Sequence, residues 1–215
     1  MWTRIAATLM FVAFASPAFA ECDPNDPVTG VPDLSYSVVV WNAAAGGPAT
    51  LLVVPDGSGP SFTQARRPDG TPVDATIELT LATPCGTVAH FPREDIWLES
   101  TGGSFVACLG GTIVDVDTDA SGLTRWTLPL HAGGNSPGPC VVVINGAPLY
   151  TMTTLDLHFN SPDLNGDRVV SLNDVALFAA RYFGAYAFAA DLHADGHIDL
   201  ADIPLLARSM GAHCP

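Results

Sequence analysis

Lysine is absent from this 215-residue chain: its eight basic residues are all arginines, set against 22 aspartates and glutamates, for a formal charge of -14. A chain so poor in positive charge lacks the basic face that neutralises phosphates, which argues against nucleic acid as a partner. Charged residues of both signs make up only 14%, whereas 48% are hydrophobic, so there is material for a core and little reason to expect disorder. No Cys-x-x-Cys pair occurs, which disfavours zinc knuckles and thioredoxin-like chemistry. After residue 20 no apolar run reaches the roughly 20 residues of a membrane-spanning helix. Helix-favouring Glu is scarce, while 20 glycines and 18 prolines point to short strands and turns.

Residues 1-20 read as a secretory signal peptide. Arg4 supplies the positive end, Ile5 to Ala15 is apolar apart from Thr8, and Ala18-Phe19-Ala20 places small residues at a cleavage site near Ala20. A secreted protein, extracellular or at the cell surface, is therefore expected. Export allows thiols to pair, and five cysteines are present: Cys22, Cys85, Cys108, Cys140 and Cys214. Spacing does not define the pairing. Cys108 with Cys140 is the preferred disulfide, because each sits beside a glycine-rich turn between strand-like runs.

Residues 21-160 read as strands separated by turns. The runs are Tyr36 to Trp41, Thr50 to Val54, Ala75 to Leu81, Ile96 to Glu99, Thr112 to Asp117, Leu123 to Leu130, Cys140 to Ile144 and Thr153 to Phe159. Clusters such as PDGSGP and HAGGNSPGP divide them. The spacing predicts an antiparallel β-sandwich. Within residues 74-130, the order DATIELTL, CGTVAHFPREDIWLES and TDASGLTRWTL, with a turn at Thr118, Asp119 and Gly122, resembles bacterial Ig-like domains of the invasin type. That resemblance implies an Ig-like structural or binding sandwich with no catalytic residues.

Two sets of residues in this region are candidates for function. Glu94, Asp95 and Glu99, with His90 nearby, are the candidate acids of a small polysaccharide-acting hydrolase, though solvated loop charge is the favoured reading. Ser104 or Ser136 with His131 is given no nucleophilic role, and His90, His131 and His158 show no metal spacing. Trp41, Trp97 and Trp126 are candidate stacking faces for a carbohydrate, though one Trp per strand more often belongs to the core.

Residues 161-215 change character. DLNGDRVVSLND (Asp163 to Asp174) and DLHADGHIDLAD (Asp191 to Asp202) align over twelve positions, 28 residues apart, with Asp at positions 1, 5 and 12 of each. Each leads into helical periodicity: Leu172, Val175, Phe178, Ala179 and Tyr182, then Leu200, Ile203, Leu206, Ala207 and Met210. Ser171 with Asp174, and Asp199 with Asp202, have capping spacing. Calcium takes six to eight oxygens, and a twelve-residue loop offers them from positions 1, 3, 5, 7, 9 and 12. Val170 and Ile198 at position 8 are expected to join the two loops in a short two-stranded contact.

This segment resembles a dockerin module, two calcium loops each leading into one helix. The resemblance implies two Ca2+ ions. Its ligands would be Asp163, Asn165, Asp167, the Val169 carbonyl and Asp174 in one loop. In the other they would be Asp191, Asp195, the His197 carbonyl, Asp202 and Asp199, directly or through water. It further implies a cohesin-like or other extracellular protein partner. Three residues depart from the pattern: Arg168 where Gly is usual, His193 at a ligand position, and Pro204 inside the second helix. Leu172, Asn173, Leu200 and Ala201 occupy positions 10 and 11, where cellulosomal dockerins carry paired Ser-Thr hydroxyls. The overall expectation is a mostly β, secreted, non-catalytic protein with a small α-helical calcium-binding attachment module at its end.

Overall fold

A computed structural model describes residues 30-100, 102-149 and 155-215; the apolar run read as a signal peptide, and Cys22, lie outside the described residues. The first strands are β1 (Val38–Trp41), β2 (Ala49–Leu52), β3 (Ala65–Arg66), β4 (Pro72–Val73), β5 (Ile77–Thr80), β6 (Ala82–Thr83) and β7 (Gly86–Thr87). The rest are β8 (Ile96–Ser100), β9 (Val106–Ala107), β10 (Leu123–Trp126), β11 (Ala132–Gly133), β12 (Cys140–Ile144), β13 (Ala147–Pro148) and β14 (Leu157–Asn160). Helices α1 (Leu172–Tyr182) and α2 (Ile203–Arg208) close the chain. The protein is mostly β, built of several small sheets.

Alternation places the side chains. In β5, Ile77 and Leu79 are buried while Glu78 and Thr80 are half-buried, and β5 is the centre of an antiparallel sheet between β1 and β10. A second antiparallel sheet pairs β8 with β12 and β12 with β13. The third sheet, in the order β14, β2, β3, β4, contains a parallel pair, β14 on β2. This departs from the expected purely antiparallel arrangement. Some hundred residues separate the two strands, long enough for the chain to cross over and re-enter in the same direction.

One core gathers Leu51, Val53, Phe62, Ile77, Leu79, Ile96, Trp126 and Phe159 from all three sheets. Leu52, the last residue of β2, and Val54 just beyond it pack instead with Leu164, Val170, Phe178, Leu192 and Leu206 in a second core. The C-terminal segment thus closes over the outer face of β2. Asn160, Ser161 and Pro162, at the boundary between the two segments, are buried. The Asn160 amide donates to the carbonyls of Phe188 (2.6 Å) and Asp191 (2.8 Å), tying the end of β14 to the second loop.

Three further expectations are corrected. Thr112 to Asp117 forms only a single bridge, Ile113 with Trp97. Its alternation is spent on a turn, where Asp115 accepts the Thr127 N–H (2.8 Å) and hydroxyl (2.6 Å). Cys108 pairs with Cys214 across 106 residues, and Cys140 is a buried free thiol whose pKa burial pushes up. Cys140 lies on β12 and Cys108 follows β9, in different sheets, so the glycine turns do not bring them together. Finally, α2 begins only at Ile203, which puts Pro204 in its first turn where no hydrogen bond is lost.

Candidate metal loops in the C-terminal segment

The two acidic loops share their backbone hydrogen bonds at positions 1, 5 and 12. At position 1, Asp163 accepts the N–H groups of Asp167 (3.2 Å) and Arg168 (2.7 Å), and Asp191 accepts those of Asp195 (3.1 Å) and Gly196 (2.9 Å). At position 5, Asp167 accepts from Val169 N–H and Asp195 from His197 N–H, both at 3.0 Å. At position 12, Asp174 accepts from Asn165 N–H (3.2 Å) and Ser171 N–H (2.8 Å), while Asp202 accepts from His193 and Asp199 N–H, both at 2.8 Å. Each position-12 carboxylate therefore folds positions 3 and 9 back toward the start of its helix. Ser171 and Asp174 complete the expected capping box on α1. At the second helix the Asp202 carboxylate takes the Asp199 N–H in the same way, but no side chain caps α2 itself.

Backbone conformation repeats as well. Positions 4 and 6 both have positive φ: Gly166 (71°) and Arg168 (70°) in the first loop, Ala194 (55°) and Gly196 (82°) in the second. Each loop thus holds one residue with a Cβ in the left-handed region, at a cost of about 1–2 kcal/mol. Arg168→Gly is expected to stabilise the protein by about 0.5–1 kcal/mol, the relief of strain being partly offset by a freer unfolded chain. Gly196→Ala should destabilise by a similar amount, and paired urea unfolding curves would measure both.

The position-1 and position-12 acids are almost wholly enclosed: Asp163, Asp174 and Asp202 have no exposed surface and Asp191 has 2%. No arginine or histidine forms an ion pair with any of these four among the described residues. Burial pushes the Asp163 carboxyl above its ordinary value, and the neighbouring Asp174 and Asp167 charges push the same way against its N–H donors. Burial likewise raises Asp202, with Asp191 and Asp195 adding to it. Tyr186 donates its hydroxyl to Asp191 (3.0 Å). The position-3 side chains meet position 5: the Asn165 amide donates to Asp167 (2.9 Å), and His193 Nδ1 stands 3.0 Å from Asp195. Asp195 is held low, against the effect of burial, by that histidine and the His197 N–H.

Asp163, Asn165, Asp167 and Asp174 are thus brought together, as are Asp191, Asp195 and Asp202. Asp199 is turned aside onto the Ala201 N–H (2.7 Å). Among the described residues no three His, Cys, Asp or Glu side chains already surround one point, since the carboxylate oxygens lie on backbone N–H groups. The donors are nevertheless all hard oxygens apart from His193, a set that suits a hard divalent cation and not a soft one.

The two loops do not pair with each other. Val170 N–H donates to the Ala212 carbonyl (2.8 Å) and its carbonyl accepts from Gly211 (2.9 Å), so the contact expected with Ile198 is made by the chain end. The Cys108–Cys214 bond holds that end in place. This ladder leaves the Val169 carbonyl out. Both loops face the β-rich part instead: Gly134 N–H donates to the Asp163 carbonyl (2.8 Å) and Gly70 N–H to the Ala194 carbonyl (3.1 Å). A Cβ on Gly133 would fall 1.9 Å from an Asp163 carboxylate oxygen, so only glycine admits the first loop there.

The other sequence candidates do not converge. Glu94 and His90 are exposed, and Glu99 accepts the Trp97 indole N–H (2.9 Å). Ser136 does stand in G-x-S-x-G spacing, from Gly134 to Gly138, which the sequence reading overlooked. Its backbone nevertheless pairs with Phe159, its hydroxyl donates to Gly138 (3.3 Å), and it is fully buried, so it forms no exposed nucleophile elbow. Trp126 is fully buried, with its indole N–H on the Thr112 carbonyl (3.1 Å), and Trp41 is buried too. Only Trp97 is half-exposed, so the three rings make no flat platform for a sugar. No protein-family profile, curated protein or solved structure matches the chain.

Proposed function

We propose that this is a secreted, non-catalytic protein: an Ig-like β-sandwich closed by a dockerin-like module that binds two calcium ions and serves attachment or extracellular assembly. The observation that carries the reading is the pair of loops whose position-1, position-5 and position-12 carboxylates accept matching backbone N–H groups, with the position-1 and position-12 acids enclosed and without a cationic partner. Asp163, Asn165, Asp167, Asp174 and the Val169 carbonyl would hold one ion. Asp191, Asp195, Asp202 and the His197 carbonyl would hold the other, with Asp199 taking part through water. A divalent ion offsets the repulsion between facing carboxylates that burial otherwise makes costly.

Attachment is assigned to the surface the module leaves open. Leu172 and Leu200, both at position 10 of their loops, are 77% and 73% exposed, and Val175 and Ile203 one turn on are exposed beside them. Apolar residues kept out of the second core in this way suit a cohesin-like or other extracellular protein receptor. Among the described residues no helix is long and apolar enough to cross a membrane. The test is calorimetric titration of calcium into chelator-treated protein. Two ions per chain are expected; the absence of a binding heat would overturn the reading. With calcium established, Leu172→Asp with Leu200→Asp should abolish receptor capture without changing calcium stoichiometry.

A further inference from the structure

The C-terminal segment does not seal the seam where it meets the β-rich part. A recessed cleft of about 340 Å3 runs along it, with Thr63, Gln64 and Arg66 on one wall and Leu192, Leu205 and Arg208 on the other. A second hollow of about 300 Å3 shares Pro60, Gln64 and Arg208 with it, so Arg208 lines two neighbouring recesses. Volumes of this order lie at the lower end of small-ligand sites, about 300–1,000 Å3.

Charge singles the cleft out. The chain has eight arginines against 22 acids, yet two arginines line this one recess and no carboxylate does. Arg93 and Arg125 are ion-paired, with Glu94 and Glu78. Neither Arg66 nor Arg208 pairs with an acid among the described residues. Arg66 is steadied by one bond, from Nη1 to the Gly70 carbonyl (2.6 Å), which leaves other guanidinium donors for a ligand. A cation near the C-terminal end of α2 complements the helix dipole, which accounts for Arg208 on its helix and not for Arg66 opposite.

The lining defines a ligand class. Guanidinium forks match carboxylate oxygens in planar, paired geometry. The Thr63 hydroxyl and Gln64 amide supply both donors and acceptors beside them, and the half-buried Leu205 offers an apolar surface to a ring face. We propose that the cleft binds a sugar acid, a polyhydroxylated ring carrying a carboxylate. One wall includes Leu192 and Ala194 of the second acidic loop, so the proposal rests on that loop keeping its fold, and calcium titration without sugar tells a failure of the loop from a failure of the cleft.

The test is calorimetry on the full chain in calcium-containing buffer, with galacturonate, galactose and sulfate as probes. Galacturonate is expected to bind saturably at one site, with galactose and sulfate each at least about tenfold weaker, a difference near 1.4 kcal/mol. Arg208→Gln changes an exposed side chain and should weaken galacturonate about tenfold with the melting temperature unchanged. Arg66→Gln should do the same, and Arg125→Gln, on the far sheet, should have no effect. The proposal is overturned if galacturonate shows no saturable binding, if galactose or sulfate binds as tightly, or if both cleft variants bind like the parent.

Discussion

Removal of calcium is expected to lower the melting temperature by about 10 °C or more. An ion that binds only the folded chain stabilises it by about 2.7 kcal/mol per site at a hundredfold excess over Kd, and each kcal/mol moves a domain of this size by about 2–4 °C. Asp163→Ala with Asp191→Ala should reproduce the chelated state, because it removes the first carboxylate of each loop. Differential scanning calorimetry with calcium and with chelator decides this, and superimposable curves would refute the calcium reading. The pH dependence should reverse with the ion. Asp163 and Asp202 are raised above their ordinary values, with burial the leading cause, in the ion-free protein. A group whose folded pKa lies above its unfolded value stabilises at low pH and loses that contribution as pH rises through the folded pKa. The chelated protein should therefore gain from mild acid through these two groups. The loaded protein should lose, because protons then compete with calcium for the same oxygens.

Removing the Cys108–Cys214 bond should have the second large effect. A loop of 106 residues is closed by it, and chain-entropy reasoning gives about 4–5 kcal/mol for such a length, with measured losses typically about 2–5 kcal/mol. Cys108→Ala with Cys214→Ala is expected to lower the melting temperature by about 10 °C. The loss should be uneven. Val170 of the first loop is laced to residues 211 and 212, whereas the second loop leans on Asn160 and Gly70. Calcium affinity should therefore fall at the first site more than at the second, as two resolved binding steps would show. An unchanged melting temperature would mean that the second core alone holds the segment in place.

The opposed effects of a single rule explain why some elements were legible and others not. Cys140 to Ile144 was recognisable as a strand because it is apolar throughout and bounded by turns, and β12 spans those same residues. Thr112 to Asp117 carries equally good alternation, yet Asp115 finds its partners in the Thr127 backbone and hydroxyl. Local pattern does not record where a distant N–H group will lie. Two-residue strands such as β9 and β11 are too short to show any period. Leu51 to Val54 is apolar without alternation, the mark of a strand covered on both faces, and the second cover is the C-terminal segment.

By itself the sequence determined the mostly β content of the chain and the positions of two matched acidic loops. These depend on short-range rules: turn residues, side-chain period, and the spacing of oxygens along twelve residues. Only the tertiary structure decided what the loops face. It sets them against Gly133 and Gly70 instead of each other, pairs Cys108 with Cys214 instead of Cys140, and leaves two unpaired arginines across one cleft. Those outcomes depend on which distant surfaces meet around β2, where close approach, burial and a covalent bond between residues 106 apart act together, and no local pattern in the chain encodes them.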